Sequence, residues 1–381
     1  METVPLHLRK FMAPEYVFGA GSAGLIGQSV RNLGGRRALL VLDPGVLAHG
    51  LHRSALASLV EAGVEAVLFS ATSSNPREGE IMAGAEVYRE KGCDCLVAVG
   101  GGSPMDCAKG IGIVSANDRH ILAFEGVDNV SRPGPPLVCI PTTSGTGAEV
   151  SQFAIVNDTG RRVKIAIVSR TLVPDLALLD PGLTLSMPPD LTAHTGFDAL
   201  SHAVEAYLSN AASPTTDLFA LEAIRLIQSN LVSAIRCPED PGARAGMLRA
   251  SLYAGMAFSN AILGAVHAMA HSLGGFLDLP HGLCNAVLLD HVLVYNRRVA
   301  PDRCADIARA LGVDDSKEDA LTDRIRTLKE QAGIRESLQS MGVRREDLDE
   351  LTRKAMEDPC LLTNPGQPTF EDIRGLYELA F

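Results

Sequence analysis

Carboxylate and imidazole side chains recur between residues 198 and 281 with the spacing that a metal centre requires. Asp198 and His202 lie four residues apart in GFDALSHAVEAY, which puts them on one face of a predicted helix. His267 and His271 share a helical face in the same way in VHAMAHSLGGFLDLPHG, and His281 follows after a Gly-Gly break and a proline. Imidazole nitrogens and a carboxylate oxygen are common ligands of divalent transition metals. The pattern therefore predicts a metal site, against the alternative of a surface hydrogen bond and core histidines.

A glycine-rich turn far upstream predicts phosphate binding. In CLVAVGGGSPMDCAKG a buried strand at 95–99 runs into Gly101, Gly102 and Ser103, and a helix at 105–114 follows with Asp106 in its first turn. Glycines let backbone N–H groups approach a phosphate, and the helix N-terminus adds a partial positive charge. The turn is not the G-x-G-x-x-G fingerprint of dinucleotide-binding folds, so a simple tight connection is the alternative.

An aspartate and a threonine-rich loop extend the predicted cofactor site. Asp43 follows a predicted strand at 38–42, where a carboxylate can accept hydrogen bonds from a ribose diol and repel a 2′-phosphate. Its alternative role is to cap a helix or a turn. Thr142, Thr143 and Thr146 follow an apolar strand in LVCIPTTSGTGAEVS, and their hydroxyls suit a pyrophosphate or the nicotinamide ribose. The loop could also be a flexible linker, but the strand before it and Glu149 after it favour a fixed position.

The elements that must position these residues fall into two groups. The first half of the chain alternates apolar β-rich runs with helical segments, which predicts a parallel sheet with helices on both faces, and further strands are predicted at 163–168 and 176–179. After LLDPGLTLSMPPDLTAHT, long Ala- and Leu-rich helical segments dominate, for example 214–230 and 243–259. We therefore expect an α/β dinucleotide-binding domain at 1–184 and an all-helical domain at 185–381.

Composition limits the classes of function. A chain of 381 residues with 46% hydrophobic residues has ample material for two cores, and a net charge of −11 argues against a nucleic-acid partner. No apolar run reaches the ~18 residues of a membrane span, and METVPLHLRKF lacks the apolar segment of a signal peptide. The eight cysteines are scattered, which suits reduced thiols. We expect a cytoplasmic protein with no membrane partner.

Four long motifs carry a family resemblance. GGGSPMD, PTTSGTGAEV, GFDALSHAVEAY and VHAMAHSLGGFLDLPHG, in this order, resemble the iron-containing (group III) alcohol dehydrogenases. The similarity extends over essentially the whole chain, from PEYVFGAGS to NPGQPTFEDIRGLY. It implies a Rossmann-like α/β domain with a parallel sheet, followed by an all-α metal-binding and catalytic domain, as in the dehydroquinate synthase-like fold, and a homo-oligomer, a dimer or larger.

The resemblance also assigns roles to individual residues. It places the family's metal ligands on Asp198, His202, His267 and His281, and it places His271 beside the metal without ligating it. The residues predicted to contact the cofactor are Asp43, Asn75, Gly101, Gly102, Ser103, Asp106, Thr142, Thr143, Thr146 and Lys164.

The implied activity is that of an iron-dependent, NAD(H)-linked alcohol dehydrogenase or aldehyde reductase for small primary alcohols or diols. A divalent ion would lower the pKa of the alcohol, so that an alkoxide transfers hydride to the nicotinamide. His271 would carry a proton or orient a ligand. The resemblance favours Fe²⁺, whereas the affinity order of divalent metals puts Zn²⁺ ahead, so zinc also fits. His194 stands where we expect a small residue, and it either alters the metal's surroundings or packs beside the helix.

Other functions fit the sequence less well. On the same fold, a glycerol-type polyol or hydroxy-acid dehydrogenase is the nearest alternative, and a dehydroquinate-synthase-like lyase would need a basic phosphate pocket that the sequence does not suggest. A metal-dependent hydrolase would have no use for the two cofactor loops. A degenerate binding protein would be expected to have lost a ligand, whereas all four positions are occupied.

Overall fold

The computed structural model describes residues 10–314 and 319–381. The stretch METVPLHLR, which entered the expectation that no signal peptide is present, lies outside the described residues. Nine strands are assigned in the described chain: β1 (Glu15–Phe18), β2 (Arg37–Val41), β3 (Glu65–Phe69), β4 (Cys95–Gly100), β5 (Gly126–Val127), β6 (Leu137–Pro141), β7 (Phe153–Asp158), β8 (Val163–Val168) and β9 (Leu176–Leu179).

Helices surround the strands and make up the second half of the chain. The α-helices of the described residues are α1 (Ile26–Asn32), α2 (Pro44–His49), α3 (Arg53–Glu61), α4 (Glu78–Glu90), α5 (Gly102–Asn117), α6 (Pro189–Leu208), α7 (Pro214–Arg236), α8 (Pro241–Ala261), α9 (Ala265–Leu277), α10 (His281–Arg297), α11 (Pro301–Ala310), α12 (Ala320–Gln331), α13 (Leu348–Met356) and α14 (Phe370–Leu379). Short 3₁₀ helices span Ser22–Leu25, Ile121–Phe124, Ala148–Val150, Arg170–Leu172, Pro181–Thr184, Arg345–Asp347 and Pro359–Thr363.

Six strands form one parallel sheet in the order β1-β9-β6-β4-β2-β3. Successive residues of a strand point to opposite faces, and here both faces are covered. Leu39 and Val41 belong to the core that includes α4 and α5, whereas Ala38 and Leu40 belong to the core that includes α1 and α3. This two-sided burial explains why the strand sequences are continuously apolar, and it confirms the predicted parallel sheet with helices on both faces.

A second, smaller sheet was not predicted. β8 pairs antiparallel with β7 and parallel with β5, so β8 lies outside the parallel sheet. The bounds predicted for β8 and β9 agree with the structure, but β7 was missed because its run follows directly after the threonine-rich loop. The helix after the glycine-rich turn begins at Gly102 rather than at residue 105, so the expectation that Asp106 lies in its first turn was wrong.

The described chain after residue 184 contains helices and no assigned strand. This change supports the proposed division into residues 1–184 and 185–381. One helix of this half, α7, has the length and apolar composition of a membrane span, although the sequence predicted no such segment. Its buried residues, among them Ala220, Ile224, Ile227 and Leu231, recur at three- and four-residue intervals, and α7 packs against α6 and α8. One-sided burial of this kind is typical of a helix that faces a protein core.

Two glycines allow a close backbone contact between the threonine-rich loop and helix α8 of the helical half. Gly147 has a left-handed backbone (φ +58), and a Cβ added there would lie 2.5 Å from Cα of Gly255 on α8. The contact is reciprocal, because a Cβ on Gly255 would lie 2.9 Å from Cα of Gly147. The loop and α8 can approach this closely only because neither residue has a side chain.

We expect Gly147→Ala to lower the free energy of unfolding by about 2–5 kcal/mol. A left-handed conformation costs a residue with a side chain ~1–2 kcal/mol, and forcing an extra methyl group into a packed contact costs ~1–3 kcal/mol. Urea unfolding followed by circular dichroism measures the change. The control is Gly24→Ala, where an added Cβ meets no atom within 4 Å. Equal stabilities of Gly147→Ala and the wild type would contradict the idea that this contact fixes the loop.

Candidate metal centre and cofactor cleft

A cavity of about 500 Å³ lies between the loops that follow β4 and β6 and the helices of the second half. Loop residues on one side include Gly102, Ser103 and Thr146. His202, His267, His271 and His281 line the opposite side, together with an apolar group and the segment after α13. The apolar and segment residues are Phe258, Ile262, Leu263, Cys360, Leu362 and Thr363.

Four predicted ligands converge in this cavity. From Oδ1 of Asp198, the Nε2 atoms of His202 and His267 are each 3.8 Å away, and Nε2 of His281 is 3.6 Å away. One donor atom from each residue lies within 4.8 Å of all the others. Asp198 and His202 sit one turn apart on α6, His267 lies in the first turn of α9, and His281 begins α10. Three imidazoles and a carboxylate in this arrangement fit Fe²⁺ or Zn²⁺.

Hydrogen bonds at the far side of two rings turn Nε2 toward the cluster. The carbonyl oxygen of Gly145 can only accept, so Nδ1 of His202, 3.2 Å away, donates to it. Nδ1 of His267 donates to Oε2 of Glu205 at 2.6 Å. In the neutral form of either ring Nε2 is then the unprotonated nitrogen, which is the form that binds a metal. Gly145 belongs to the threonine-rich loop, so that loop directly orients one of the four clustered side chains.

Glu205 was missed in the sequence. It is buried, and besides His267 it accepts hydrogen bonds from the backbone N–H groups of Val266 and His267 at the start of α9. The sequence held a signal for it, because Glu205 lies seven residues after Asp198 and therefore on the same face of α6. A carboxylate in this position fixes the ring of a ligating histidine.

Asn285 was also missed. Its Nδ2 donates to Oδ1 of Asp198 at 2.8 Å and lies 3.2 and 3.3 Å from Nε2 of His267 and His281. Its Oδ1 and Nδ1 of His281 are buried polar atoms without a hydrogen-bond partner among the described residues. The signal was the four-residue spacing from His281 on α10. Unpartnered polar atoms around four converging donors are what a site built for an ion presents.

The charges of the cluster are set by burial and by its carboxylates. Burial opposes the charged form of Asp198, but His202, His267 and His281 hold the pKa of this carboxyl well below its usual range. Burial lowers the pKa of His202 to about 4 and that of His281 well below 6.5, so both rings are neutral at pH 7. Burial also works against a charge on His267, yet its hydrogen bonds to Asp198 and Glu205 raise its pKa to about 9. An ion entering the site would therefore displace the proton of His267.

His271 lies beside the cluster rather than in it. Its Nδ1 donates to Oδ2 of Asp358 at 2.8 Å, and its ring stacks on that of His281 with centroids 5.3 Å apart. Asp358 precedes the 3₁₀ helix Pro359–Thr363 and was not predicted. His194, one turn before Asp198, lies where α6 crosses the start of α10, because a Cβ on Gly282 would collide with its backbone carbonyl. It thus packs at a helix crossing.

The sheet presents Asp43 beside the glycine-rich turn. The two lie at the carboxyl ends of β2 and β4, where the strand order reverses, and dinucleotides bind at such switch points in related sheets. Oδ1 of Asp43 accepts from the backbone N–H of Val46 at 2.8 Å and caps α2. Its Oδ2 faces Gly100, where an added Cβ would lie 3.2 Å away. Asp43 can therefore cap α2 with one carboxylate oxygen while the other oxygen faces the glycine-rich turn.

The glycine-rich turn and the threonine-rich loop face each other. A Cβ on Gly101 would lie 3.2 Å from Oγ1 of Thr143, and one on Gly102 would lie 2.9 Å from Cγ2 of Thr146. Thr142 is buried at the end of β6, and its N–H donates to the carbonyl of Gly100 at 2.9 Å. Side chains on these glycines would collide with the threonine-rich loop, so backbone N–H groups at the N-terminus of α5 face this loop, as they do in sites that bind phosphate.

The remaining predicted cofactor contacts line the cavity. Nδ2 of Asn75 donates to Asp278 at 2.7 Å, and Oγ of Ser103 donates to the carbonyl of Ser74 at 2.6 Å. Burial raises the pKa of Asp106 to about 6 and lowers that of Lys164 from its usual value. These four residues thus line one cavity, whereas Asp43, Gly101, Thr142 and Thr143 are not among its lining residues.

Comparisons with known proteins agree with this architecture. Residues 13–181 match the family model described as iron-containing alcohol dehydrogenase, and residues 192–381 match the C-terminal model of the Fe-containing alcohol dehydrogenase family. The chain is 42% identical to alcohol dehydrogenase 4 of Schizosaccharomyces pombe, over 97% of this chain and 88% of that protein. It is also 42% identical to 1,3-propanediol dehydrogenase of Citrobacter freundii, over 96% of each.

Comparison with a solved structure supports the same family. A crystal structure of 1,3-propanediol oxidoreductase superimposes with a TM-score of 0.96 at 39% identity, covering 98% of this chain and all of that chain. The likeness therefore includes both the parallel sheet and the helical half that together enclose the cavity. With family models matching on both sides of residues 182–191, this chain belongs to the iron-containing alcohol dehydrogenase family.

Proposed function

We propose that this oxidoreductase interconverts small primary alcohols or diols with their aldehydes, using NAD(H) and a divalent ion held by Asp198, His202, His267 and His281. The observation that supports it is the placement of four converging metal-binding side chains and two phosphate-suited loops on opposite walls of one cavity. The family favours Fe²⁺, and the same donors suit Zn²⁺. When bound there, such an ion acts as a Lewis acid that polarises the substrate oxygen.

The side chains around the ion would position the ion and transfer protons to and from the substrate. Glu205 and the carbonyl of Gly145 fix the rings of His267 and His202 so that Nε2 points inward. Asp358 accepts a hydrogen bond from Nδ1–H of His271. Nε2 of that ring is then available to take a proton from an alcohol or return one to it. His271 lines the cavity, so it can act without ligating the ion.

NAD is the proposed hydride carrier, and it would lie across the switch point of the sheet. Its pyrophosphate would sit on the backbone of Gly101 and Gly102 at the start of α5, near the hydroxyl of Thr146. Oδ2 of Asp43 would accept from the adenine ribose while Oδ1 keeps its cap on α2. The conformation of Gly147 holds the threonine-rich loop against α8, so the two walls of the cleft keep a fixed separation.

The lining of the cavity favours simple alcohols over acidic substrates. Phe258, Ile262, Leu263 and Leu362 form an apolar part of the wall that excludes water and suits a short hydrocarbon chain. The described lining residues include two lysines, Lys10 and Lys164, and no arginine, the usual partner of a carboxylate or phosphate. A hydroxy-acid dehydrogenase or a lyase with a phosphorylated substrate fits this lining less well. Relative kcat/KM values over a panel of short alcohols, diols and hydroxy acids test the substrate class.

We also propose a cytoplasmic homo-oligomer. Seven of the eight cysteines are buried, which suits reduced thiols in a reducing compartment. In the described chain β1 is an edge strand of the large sheet, and its Tyr16 is 42% exposed. Such an edge is normally covered or paired. Light scattering at several protein concentrations measures the assembly directly.

We expect Asp198→Ala and His267→Ala to lose both bound metal and turnover, and His271→Ala to keep the metal while kcat falls ~10²–10⁴-fold, the usual effect of removing a general acid or base. Metal content after dialysis and steady-state rates separate the two outcomes. His291→Ala, on α10 but outside the cluster, is the control and should retain both. A metal-free His271→Ala protein would show that a ligand and its neighbour have been exchanged.

Glu205→Gln should weaken metal binding about 10–100-fold, because the variant keeps an acceptor for the N–H groups of α9 but loses the negative charge that holds His267. The measurement is a competition titration with a metal-binding dye. Glu222→Gln on the exposed face of α7 serves as the control. If Glu205→Gln bound metal as tightly as the wild type, the charge on Glu205 would have no part in positioning His267.

Asp43→Asn should raise the ratio of kcat/KM for NADP to that for NAD by about tenfold, or about 1.4 kcal/mol. Asparagine still caps α2, but it lacks the charge that repels a 2′-phosphate. Asp240→Asn, which alters the similar cap of α8 away from the cleft, should leave the ratio unchanged. A wild-type enzyme that uses both cofactors equally well would refute the role given to Asp43.

A further inference from the structure

A second group of metal-binding donors adjoins the first. His271, Asp358 and Cys360 each offer a donor atom, and these three atoms lie within 4.8 Å of one another. His271 comes from α9, whereas Asp358 and Cys360 come from the start of the 3₁₀ helix Pro359–Thr363. His271 and Cys360 are 8% and 4% exposed, and both line the 500 Å³ cavity. The group is therefore buried in the protein but open to whatever enters the cleft.

The three side chains are already joined by hydrogen bonds. Asp358 accepts from Nδ1 of His271 at 2.8 Å and from the backbone N–H of Cys360 at 2.8 Å, and the thiol of Cys360 also bonds to this carboxylate. Burial would raise the pKa of Asp358, but His271 and the bonds from Cys360 hold it below its usual value. The carboxylate of Asp358 thus accepts hydrogen bonds from two groups that carry exchangeable protons, the imidazole of His271 and the thiol of Cys360. A cation among the same three donors could replace them.

The chemistry of the donors points to a particular class of ion. Nitrogen, oxygen and sulfur from three side chains, with a fourth position open to the cavity, match the pattern of three protein ligands plus one exchangeable ligand that Zn²⁺ adopts. Sulfur favours Zn²⁺ and other thiophilic ions over Fe²⁺. The cluster around Asp198 contains no sulfur. The two groups of donors therefore differ in the ions that they select.

We propose that His271, Asp358 and Cys360 form a second metal site, for Zn²⁺ or a similarly thiophilic divalent ion, and that its occupation inhibits the enzyme. On binding, the thiol proton leaves to solvent and the Nδ1 proton of His271 moves to Nε2, so that Nδ1, a carboxylate oxygen and the thiolate hold the ion. Nε2 is then protonated and His271 can no longer take a proton from an alcohol. This inhibitory consequence rests on the proposed function, whereas the binding of the ion does not.

The position of the second site makes it the weaker of the two. The ring of His271 lies 5.3 Å from that of His281 and 5.9 Å from that of His267, measured between centroids. Two divalent cations on these neighbouring groups repel each other, so the second is bound only when the ion is in excess over the first site. Metal would then activate at one equivalent and inhibit beyond it.

Cobalt titration of chelator-treated protein tests the site without any activity measurement. The first equivalent should enter the nitrogen and oxygen donors around Asp198, with visible d–d absorption but no thiolate signal. The second should add a thiolate-to-cobalt charge-transfer band in the near ultraviolet. In Cys360→Ser and in Asp358→Asn the first spectrum should persist and the charge-transfer band should be lost. Cys237→Ser, an exposed thiol, and Cys284→Ser, a buried one, are controls that should keep it.

Inhibition by Zn²⁺ of the Fe²⁺-loaded enzyme tests the consequence. The half-inhibitory concentration should rise at least about tenfold in Cys360→Ser, or about 1.4 kcal/mol. Displacement of iron from the first site would give the same value in the variant and the wild type. Absence of a charge-transfer band, or a band unchanged in Cys360→Ser and Asp358→Asn, would overturn the site. If the protein oxidised no alcohol, the cobalt spectra would still show whether the second site binds a metal. Failure of the proposed function can therefore be distinguished from failure of the second site.

Discussion

The buried negative charge of Asp198 is the constraint around which the helical half is organised. A carboxylate removed from water is costly unless it is paired and hydrogen-bonded. Here three imidazole nitrogens lie 3.6–3.8 Å from Oδ1, and Asn285 donates to the same oxygen at 2.8 Å. Satisfying that charge requires α6, α9 and α10 to meet at one point. The absence of a side chain at Gly282 permits α10 to pass directly against α6.

Two histidines of α9 are oriented by the same kind of hydrogen bond, but their rings point in different directions. His267 and His271 occupy successive turns of α9, and each donates Nδ1–H to a buried carboxylate, Glu205 in one case and Asp358 in the other. Glu205 comes from α6, so it turns His267 toward Asp198. Asp358 comes from the segment after α13, so it turns His271 toward the cavity. The direction from which the carboxylate approaches decides which ring joins the cluster.

The two walls of the cleft are mechanically and chemically connected. The threonine-rich loop touches α8 through Gly147 and approaches α6 at Gly145, where an added Cβ would lie 2.7 Å from Thr195. The carbonyl of Gly145 also accepts the hydrogen bond that orients His202. A displacement of the loop would therefore disturb the cluster of Asp198 and the three histidines as well as the wall of the cavity that the loop itself forms. This connection explains why a loop so rich in small residues holds a fixed conformation.

Local patterns in the sequence were enough to specify much of this protein. The four-residue spacing of Asp198 and His202, the glycines after β4, and the apolar runs that became β8 and β9 depend on short-range geometry, so they were visible without a structure. The parallel sheet also followed from the alternation of strands and helices. In each case the physical determinant lies within a few residues along the chain.

Tertiary structure decided what depends on residues far apart in sequence. Asp358 lies 87 residues after His271, and Asn285 lies 87 residues after Asp198, so neither pairing had a local signature. β7 and its antiparallel pairing were hidden because a short buried strand after a loop has no distinctive period. Asp43 could be assigned both a cap and a free carboxylate oxygen only once Val46 and Gly100 were placed around it. Sequence supplied the chemical groups, and packing of the helices against the sheet determined which groups face the cavity and which face each other.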